Sequence, residues 1–587
     1  MRSHKRWGSG AFALILTAAF AVEAADPYFQ TERFAGAGTC ADCHDGLYDE
    51  LGQDVSIQRE WSGTMMGNSS RDPFWRAKFA SEIRRNPHLE TALNAKCTRC
   101  HTPMASEEVG DVPGNMLFFG QGFSNPNNPY HDAAMDGVSC TLCHQIVDDG
   151  SLGTLEGASG NFAIADDRVA FGPFTGPRTN PMQRQSGYTP RHSPLTSDSK
   201  LCSACHNLTT PVFDSGGNIV STTPDTEFPE QMVYTEWEHS VFAGDGVEAS
   251  TCQTCHMARA DGVQIANRPR DLTRRDDFGR HGFYGGNTLV LDILDANRDL
   301  LDVGDGDFDA SIQATRETLR SAAEVLIEQA VLEGDELTVQ VRVVNHSGHK
   351  LPTSFPSRRA YLHLTVTDGV GNTLFESGRL NPDGGIEGVD SDSGEMGYEP
   401  HYEEISSPEQ VQVYEPIMGD SGGNQTYTLL NAAAYIKDNR IPPRGFDKHA
   451  VPDQIAVKGL AVDDADFGDG SDLVMYRIKL PAVDGVSVSV ELNYQTLAYG
   501  FLRDLRQDAE DPVVAGFLDM YDGSKVRVET IAEASETIGQ VDIPSGTAPG
   551  TGSGTDGGTD GSQTGGSGTT VGSGSGGGFG RGGGGRR

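Results

Sequence analysis

All ten cysteines of the chain fall into five copies of Cys-x-x-Cys-His: Cys40/Cys43/His44, Cys97/Cys100/His101, Cys140/Cys143/His144, Cys202/Cys205/His206 and Cys252/Cys255/His256. Two thiols held one short turn apart can form thioether bonds to the two vinyl groups of a porphyrin, and the adjoining imidazole is then delivered to the iron. The pattern predicts five covalently attached haem c groups. The cysteines are the attachment points, and His44, His101, His144, His206 and His256 are the proximal ligands. Zinc knuckles, redox-active dithiols and disulfides also use cysteine pairs. None of them needs a histidine after every second cysteine.

The sixth position of each iron decides its chemistry, because a strong second ligand leaves electron transfer and an open position admits a substrate. Beyond the five motif histidines and His4, ten histidines remain: His88, His131, His192, His239, His281, His346, His349, His363, His401 and His449. His192 precedes the fourth motif by ten residues, and His281 lies in Gly279-Arg-His-Gly-Phe-Tyr-Gly-Gly286, where glycines allow close approach of backbone to a ring. His131 stands nine residues before Cys140. His349 is preferred over His346 in the loop Asn345-His-Ser-Gly-His-Lys-Leu-Pro-Thr353, while His363, His401 and His449 read as surface residues of a β-region. Met65 and Met66, in Trp61-Ser-Gly-Thr-Met-Met66, are thioether candidates for the same role.

Two kinds of element must position these residues. The five motifs start 57, 43, 62 and 50 residues apart, which argues against a tandem array of identical units. Helical spacing over Phe74–Ile83 and Ser311–Ala330, with Gly-, Pro- and Asn-rich loops such as Pro113–Pro129, predicts a mostly helical and irregular region over 25–317. Farther on, Glu336–Val344, Ala360–Thr367 and Ser487–Tyr494 alternate apolar with polar residues. They predict an all-β, immunoglobulin-like antiparallel sandwich over 318–544. The Gly/Ser/Thr-rich stretch 545–587 has almost nothing to bury and is expected to be a disordered tail. Aspartates at Asp305/Asp307/Asp309 and Asp466/Asp469/Asp472 read as solvated turns, since neither group completes a calcium-loop pattern.

Arg2, Lys5 and Arg6 precede a short apolar run, Gly10–Val22, and a small-residue site ending at Ala24, which predicts a secretory signal peptide over 1–24. The run is shorter than the roughly 20 residues a spanning helix needs, so no transmembrane segment is expected in the mature chain. The location implied is periplasmic or extracellular, at the cell surface. A net charge of -38, from 83 acidic and 45 basic residues, argues against nucleic acid as a partner.

The chain resembles a family of secreted bacterial pentahaem cytochromes c with a C-terminal β-sandwich domain. The residues that carry the likeness are Trp61–Met66 with Arg71-Asp-Pro-Phe-Trp75, Cys97-Thr-Arg-Cys-His101, Gly137–Cys140, Tyr234-Thr-Glu-Trp237, Thr251–Met257, Asn345–Thr353, Arg358-Arg359 and Lys437–Gly445. The resemblance implies an electron-transfer role with an appended β-domain. It places Met66, His192, His281 and His349 at recurrent positions, unlike His131 and His239.

The expected function is therefore electron transport through five haems to redox partner proteins or an extracellular acceptor. Two alternatives stay open. One is a multihaem oxidoreductase with an open iron that reduces a small oxyanion, although all five motifs end in histidine. The other is a cytochrome filament subunit that self-associates.

Overall fold

A computed structural model describes residues 25–539, apart from 111, 113, 215, 222, 395 and 396. The expected signal peptide and the Gly-rich tail lie outside the described residues.

Short helices dominate the first half, and their ends are written in the sequence. Pro73–Arg85 begins with proline behind Asp72, whose carboxylate accepts from the N–H groups of Phe74 (2.9 Å) and Trp75 (3.0 Å), and it ends with Arg84 and Arg85 in its last turn. The expected helix over Phe74–Ile83 is thus present and slightly longer.

The expectation over Ser311–Ala330 needs correction. Phe308–Ser321 is helical, but Ala323–Glu333 is a strand that pairs antiparallel with Glu336–Asn345 across a turn in which Gly334 adopts φ 67°. Apolar residues at Leu319, Ala322, Ala323, Leu326 and Ala330 fit a helical face in isolation. The ladder offered by the neighbouring strand, with Gly334 supplying the turn, overrides that local spacing.

The β-rich region holds two larger sheets. One runs in the order Glu404–Ile405, Ser471–Lys479, Glu336–Asn345, Ala323–Glu333. The other runs Thr373–Ser377, Arg359–Asp368, Gly485–Gln495, Glu529–Gly539, with Val413–Tyr414 also on Arg359–Asp368. Pairing is antiparallel except between Glu404–Ile405 and Ser471–Lys479. The alternation seen in sequence becomes an inward face: Leu337, Val339, Val341 and Val343 share one core with Leu362, Leu364, Val366, Val488, Val490 and Leu492.

Helices return between the strands Gly485–Gln495 and Glu529–Gly539. Tyr499–Leu505 and Pro512–Gly523 bury Phe501, Phe517 and Leu518 together with Ala77 and Ala80 of the helix Pro73–Arg85. Arg85 anchors the same contact through Asp508 (2.7 Å) and Asp504 (2.8 Å). The described residues pack as a single unit. Among them no helix is long and apolar enough to cross a membrane.

Candidate functional site

Each motif sits on a helical turn: Ala37–His44, Glu90–His101, Cys140–Cys143, Lys200–His206 and Cys252–His256. A helical turn places residues three apart on one face, which is what two thiols need to meet one porphyrin edge. None of the ten cysteines is in a disulfide; nine are partly buried and Cys255 is exposed.

Four motif imidazoles are oriented in the same way. Nδ1 of His44 bonds to the Ile265 carbonyl (2.7 Å), that of His101 to Ser69 (2.9 Å), that of His144 to Phe171 (2.5 Å) and that of His256 to Tyr284 (2.6 Å). A backbone carbonyl at Nδ1 fixes the tautomer, turns the ring and leaves the Nε2 lone pair for a metal. Burial pushes the proton affinities of His44 and His144 down, and brings His101 and His206 to about 4. All four are therefore neutral at pH 7, the form that ligates. His101 is further held by Trp75, whose ring lies parallel to it (4°) at 4.2 Å.

Two of the motif rings face a second histidine. His144 and His281 have centroids 6.4 Å apart at 25°, and His256 and His349 are 6.3 Å apart at 14°. Two imidazoles sharing one metal, each with a metal–nitrogen distance of about 2.0 Å and a further ~1.1 Å from nitrogen to centroid, would have centroids about 6.2 Å apart. Both spacings fit an iron held between two histidines.

His281 is carried on the loop after Phe278–Gly279. Its N–H donates to Glu60 Oε2 (3.0 Å), and the neighbouring Arg280 Nε donates to Oε1 of the same carboxylate (2.6 Å). Burial, with the nearby His144, holds His281 at about 3. Three residues on, the Tyr284 carbonyl orients His256, so one loop serves both ring pairs. His349 comes from the β-rich region, and its Nδ1 donates to the Lys350 carbonyl (3.0 Å).

The remaining candidates have other neighbours. His192 is exposed at the end of the strand Thr189–His192, and the half-buried Met66 contributes its carbonyl to the Val138 N–H (3.0 Å). Met65 packs with Leu294 and Phe308. His131 donates Nδ1 to the Phe123 carbonyl (2.8 Å), while its Nε2 is enclosed by protein without a partner. His346 is turned toward Glu324, 3.4 Å away.

Contacts between thiols show how the motifs adjoin. The thiols of Cys40 and Cys140, of Cys100 and Cys205, and of Cys202 and Cys252 lie near enough to shift one another's proton affinity, and the field of Cys143 reaches Cys202 and Cys205. The first motif thus neighbours the third, the third neighbours the fourth, and the fourth neighbours the second and the fifth. Nothing in the linear order of the motifs announces this branching.

One reading of the sequence is overturned at His401, which is buried at 5% exposure, together with Asp472 at 0%. Its Nε2 lies 2.9 Å from Asp464 Oδ2. Nδ1 accepts from Gln412 Nε2 (2.9 Å) and Asn439 Nδ2 (3.1 Å). The amide oxygens are committed to the Tyr402 and Glu415 N–H groups, so both amides must donate to Nδ1. Nε2 therefore carries the ring proton and gives it to Asp464. His401, Asp464 and Asp472 come within metal-binding distance of one another, but the network is made to hold a proton. Surface patterning failed here because the partners of His401 lie 11 to 63 residues away in the chain.

With this geometry described, comparison with known proteins bears on the first three motifs. The family described as cytochrome c554 and c-prime matches residues 39–145, the stretch that holds the motifs ending at His44, His101 and His144. The match speaks for a multihaem c-type cytochrome that transfers electrons. A penta-heme cytochrome c552 from Thermochromatium tepidum is similar over 86% of this chain and 99% of its own, at 17% identity and a TM-score of 0.49. No curated protein matches.

Proposed function

We propose that the chain carries electrons through five covalent haem c groups, in the periplasm or at the cell surface. The observation that carries this reading is the presence of two pairs of facing histidines, His144/His281 and His256/His349, since a second imidazole closes an iron to substrate. The five motif histidines serve as proximal ligands, and His281 and His349 close the third and fifth haems. Met66 and His192 are assigned as distal candidates for the others. His131, whose buried Nε2 has no partner, Met65 and His346 rank below them as distal candidates.

Bound haem supplies a one-electron iron couple whose potential follows the axial ligand. The chain's own contribution is to orient imidazoles through the carbonyls of Ile265, Ser69, Phe171 and Tyr284, to keep His44, His101, His144 and His206 neutral by burial, and to bring neighbouring motifs close together. The thiol contacts support a path from the first motif through the third to the fourth, with arms to the second and the fifth. The paired sheets between 323 and 539, read as an immunoglobulin-like domain, supply a ligand loop to the fifth site.

Electron paramagnetic resonance of the oxidised holoprotein, with haem counted by mass, tests the proposal. Five haems, all low-spin, are expected. A high-spin iron that binds nitrite or hydroxylamine and turns it over with a viologen donor would overturn it in favour of an oxyanion reductase.

A further inference from the structure

The helix Val233–Glu238 reaches in two directions at once. Trp237 Nε1 donates to the Ser250 carbonyl (2.9 Å), just ahead of Cys252. Its neighbour Glu236, at 0% exposure, turns toward the loop that bears His349. Glu236 Oε2 accepts from the Lys350 N–H (3.2 Å) and from Thr353 Oγ1 (2.6 Å), and Oε1 lies 3.0 Å from Arg440 NH1. Arg440 NH2 and Lys350 Nζ both bond to Asp438 Oδ2 at 2.7 Å. The four side chains are 0 to 6% exposed, and two cations balance two anions. Burial works against ionisation of Asp438, yet Arg440 and Lys350 hold it down at about 2.

The Lys350 residue links this cluster to the imidazole. Its N–H is held by Glu236, and its carbonyl accepts from His349 Nδ1 (3.0 Å). The preceding carbonyl, that of His349, accepts from Asn345 Nδ2 (2.8 Å). The backbone on both sides of the His349 side chain is therefore fixed, and so is the rotation of its ring.

We infer that Glu236, braced by Arg440, Asp438 and Lys350, is a positioning residue that sets the His349 ring opposite His256. The inference rests on the reading of His349 as an axial ligand. A generic interdomain ion pair would need only to hold two surfaces together. This one grips the backbone of the residue next to the ligand and shares a helix with the anchor of the fifth motif.

The test uses holoprotein variants Glu236→Gln, Thr353→Val and His349→Ala, each checked for five haems and unchanged far-ultraviolet circular dichroism. Losing a hydrogen bond to a buried charged group should loosen the ligand, so Glu236→Gln is expected to bind added imidazole or cyanide at one haem about tenfold or more faster than the native protein. Thr353→Val should do so to a smaller extent, and Thr353→Ser should restore the native rate. If His349→Ala opens one haem while Glu236→Gln and Thr353→Val bind at the native rate, the positioning role is overturned and the ligand assignment survives. If His349→Ala opens none, the ligand assignment falls as well. Should Glu236→Gln fail to retain its haems, Thr353→Val alone decides, and a native rate in it overturns the inference.

Discussion

Replacing Asp72 by asparagine should make the protein more stable at neutral pH and leave it unchanged in acid. Asp72 caps the helix that carries Trp75 onto His101, and its carboxyl is buried at 8% exposure. Burial raises its pKa from 3.8 to about 6, against the two cap hydrogen bonds and the fields of Arg76 and Arg358. A raised acid binds more protons folded than unfolded, so its contribution is fully present below about pH 4 and is lost as pH climbs through about 6. A rise of that size corresponds to about 3 kcal/mol as an upper bound. Asparagine caps as well as aspartate but forgoes up to about 1 kcal/mol of attraction to the helix dipole, which leaves a net gain of about 2 kcal/mol at pH 7. Asp72→Ala should instead lose about 1 kcal/mol or more at pH 4, because the cap itself goes, and gain less than Asp72→Asn at pH 7, where relief of the buried charge offsets the lost cap. Urea unfolding followed by far-ultraviolet circular dichroism at pH 4 and pH 7 separates the cases. An Asp72→Asn protein whose stability difference from native is the same at both pH values would refute the reasoning.

His281→Met should convert one haem from bis-histidine to histidine/methionine ligation and raise its potential, which a spectroelectrochemical titration would show as a single shifted component. Cys252→Ser combined with Cys255→Ser should yield a chain lighter by one haem with four retained, read by intact mass. Arg359→Met strands Asp392, which Arg359 contacts at 3.0 and 2.6 Å with both groups at 4% exposure or less; it should cost about 3–5 kcal/mol by urea denaturation.

The Cys-x-x-Cys-His motifs were legible because their chemistry is local: five consecutive residues define each one. The strands Glu336–Asn345 and Arg359–Asp368 were equally legible, since a half-buried strand writes its alternation directly into sequence. The strand at Ala323–Glu333 was not, because its identity depends on its partner. Pairings such as His144 with His281, or Glu236 with Lys350 and Arg440, join residues more than a hundred positions apart. Glycine-rich surroundings singled out His281, but nothing around Glu236 distinguished it from any other acidic residue on a short helix.

The supply of His349 by the β-rich region has a bearing on biogenesis. On the proposed export and ligation, a chain emerging amino terminus first would present His256 93 residues before His349. Until the second half folded, the fifth haem would keep one bare face, ready to take up whatever small ligand or oxidant diffuses by. Completion of the sheets would then be the last stage of cofactor maturation, and a chain truncated after its final attachment motif should be fully haemylated yet chemically unfinished.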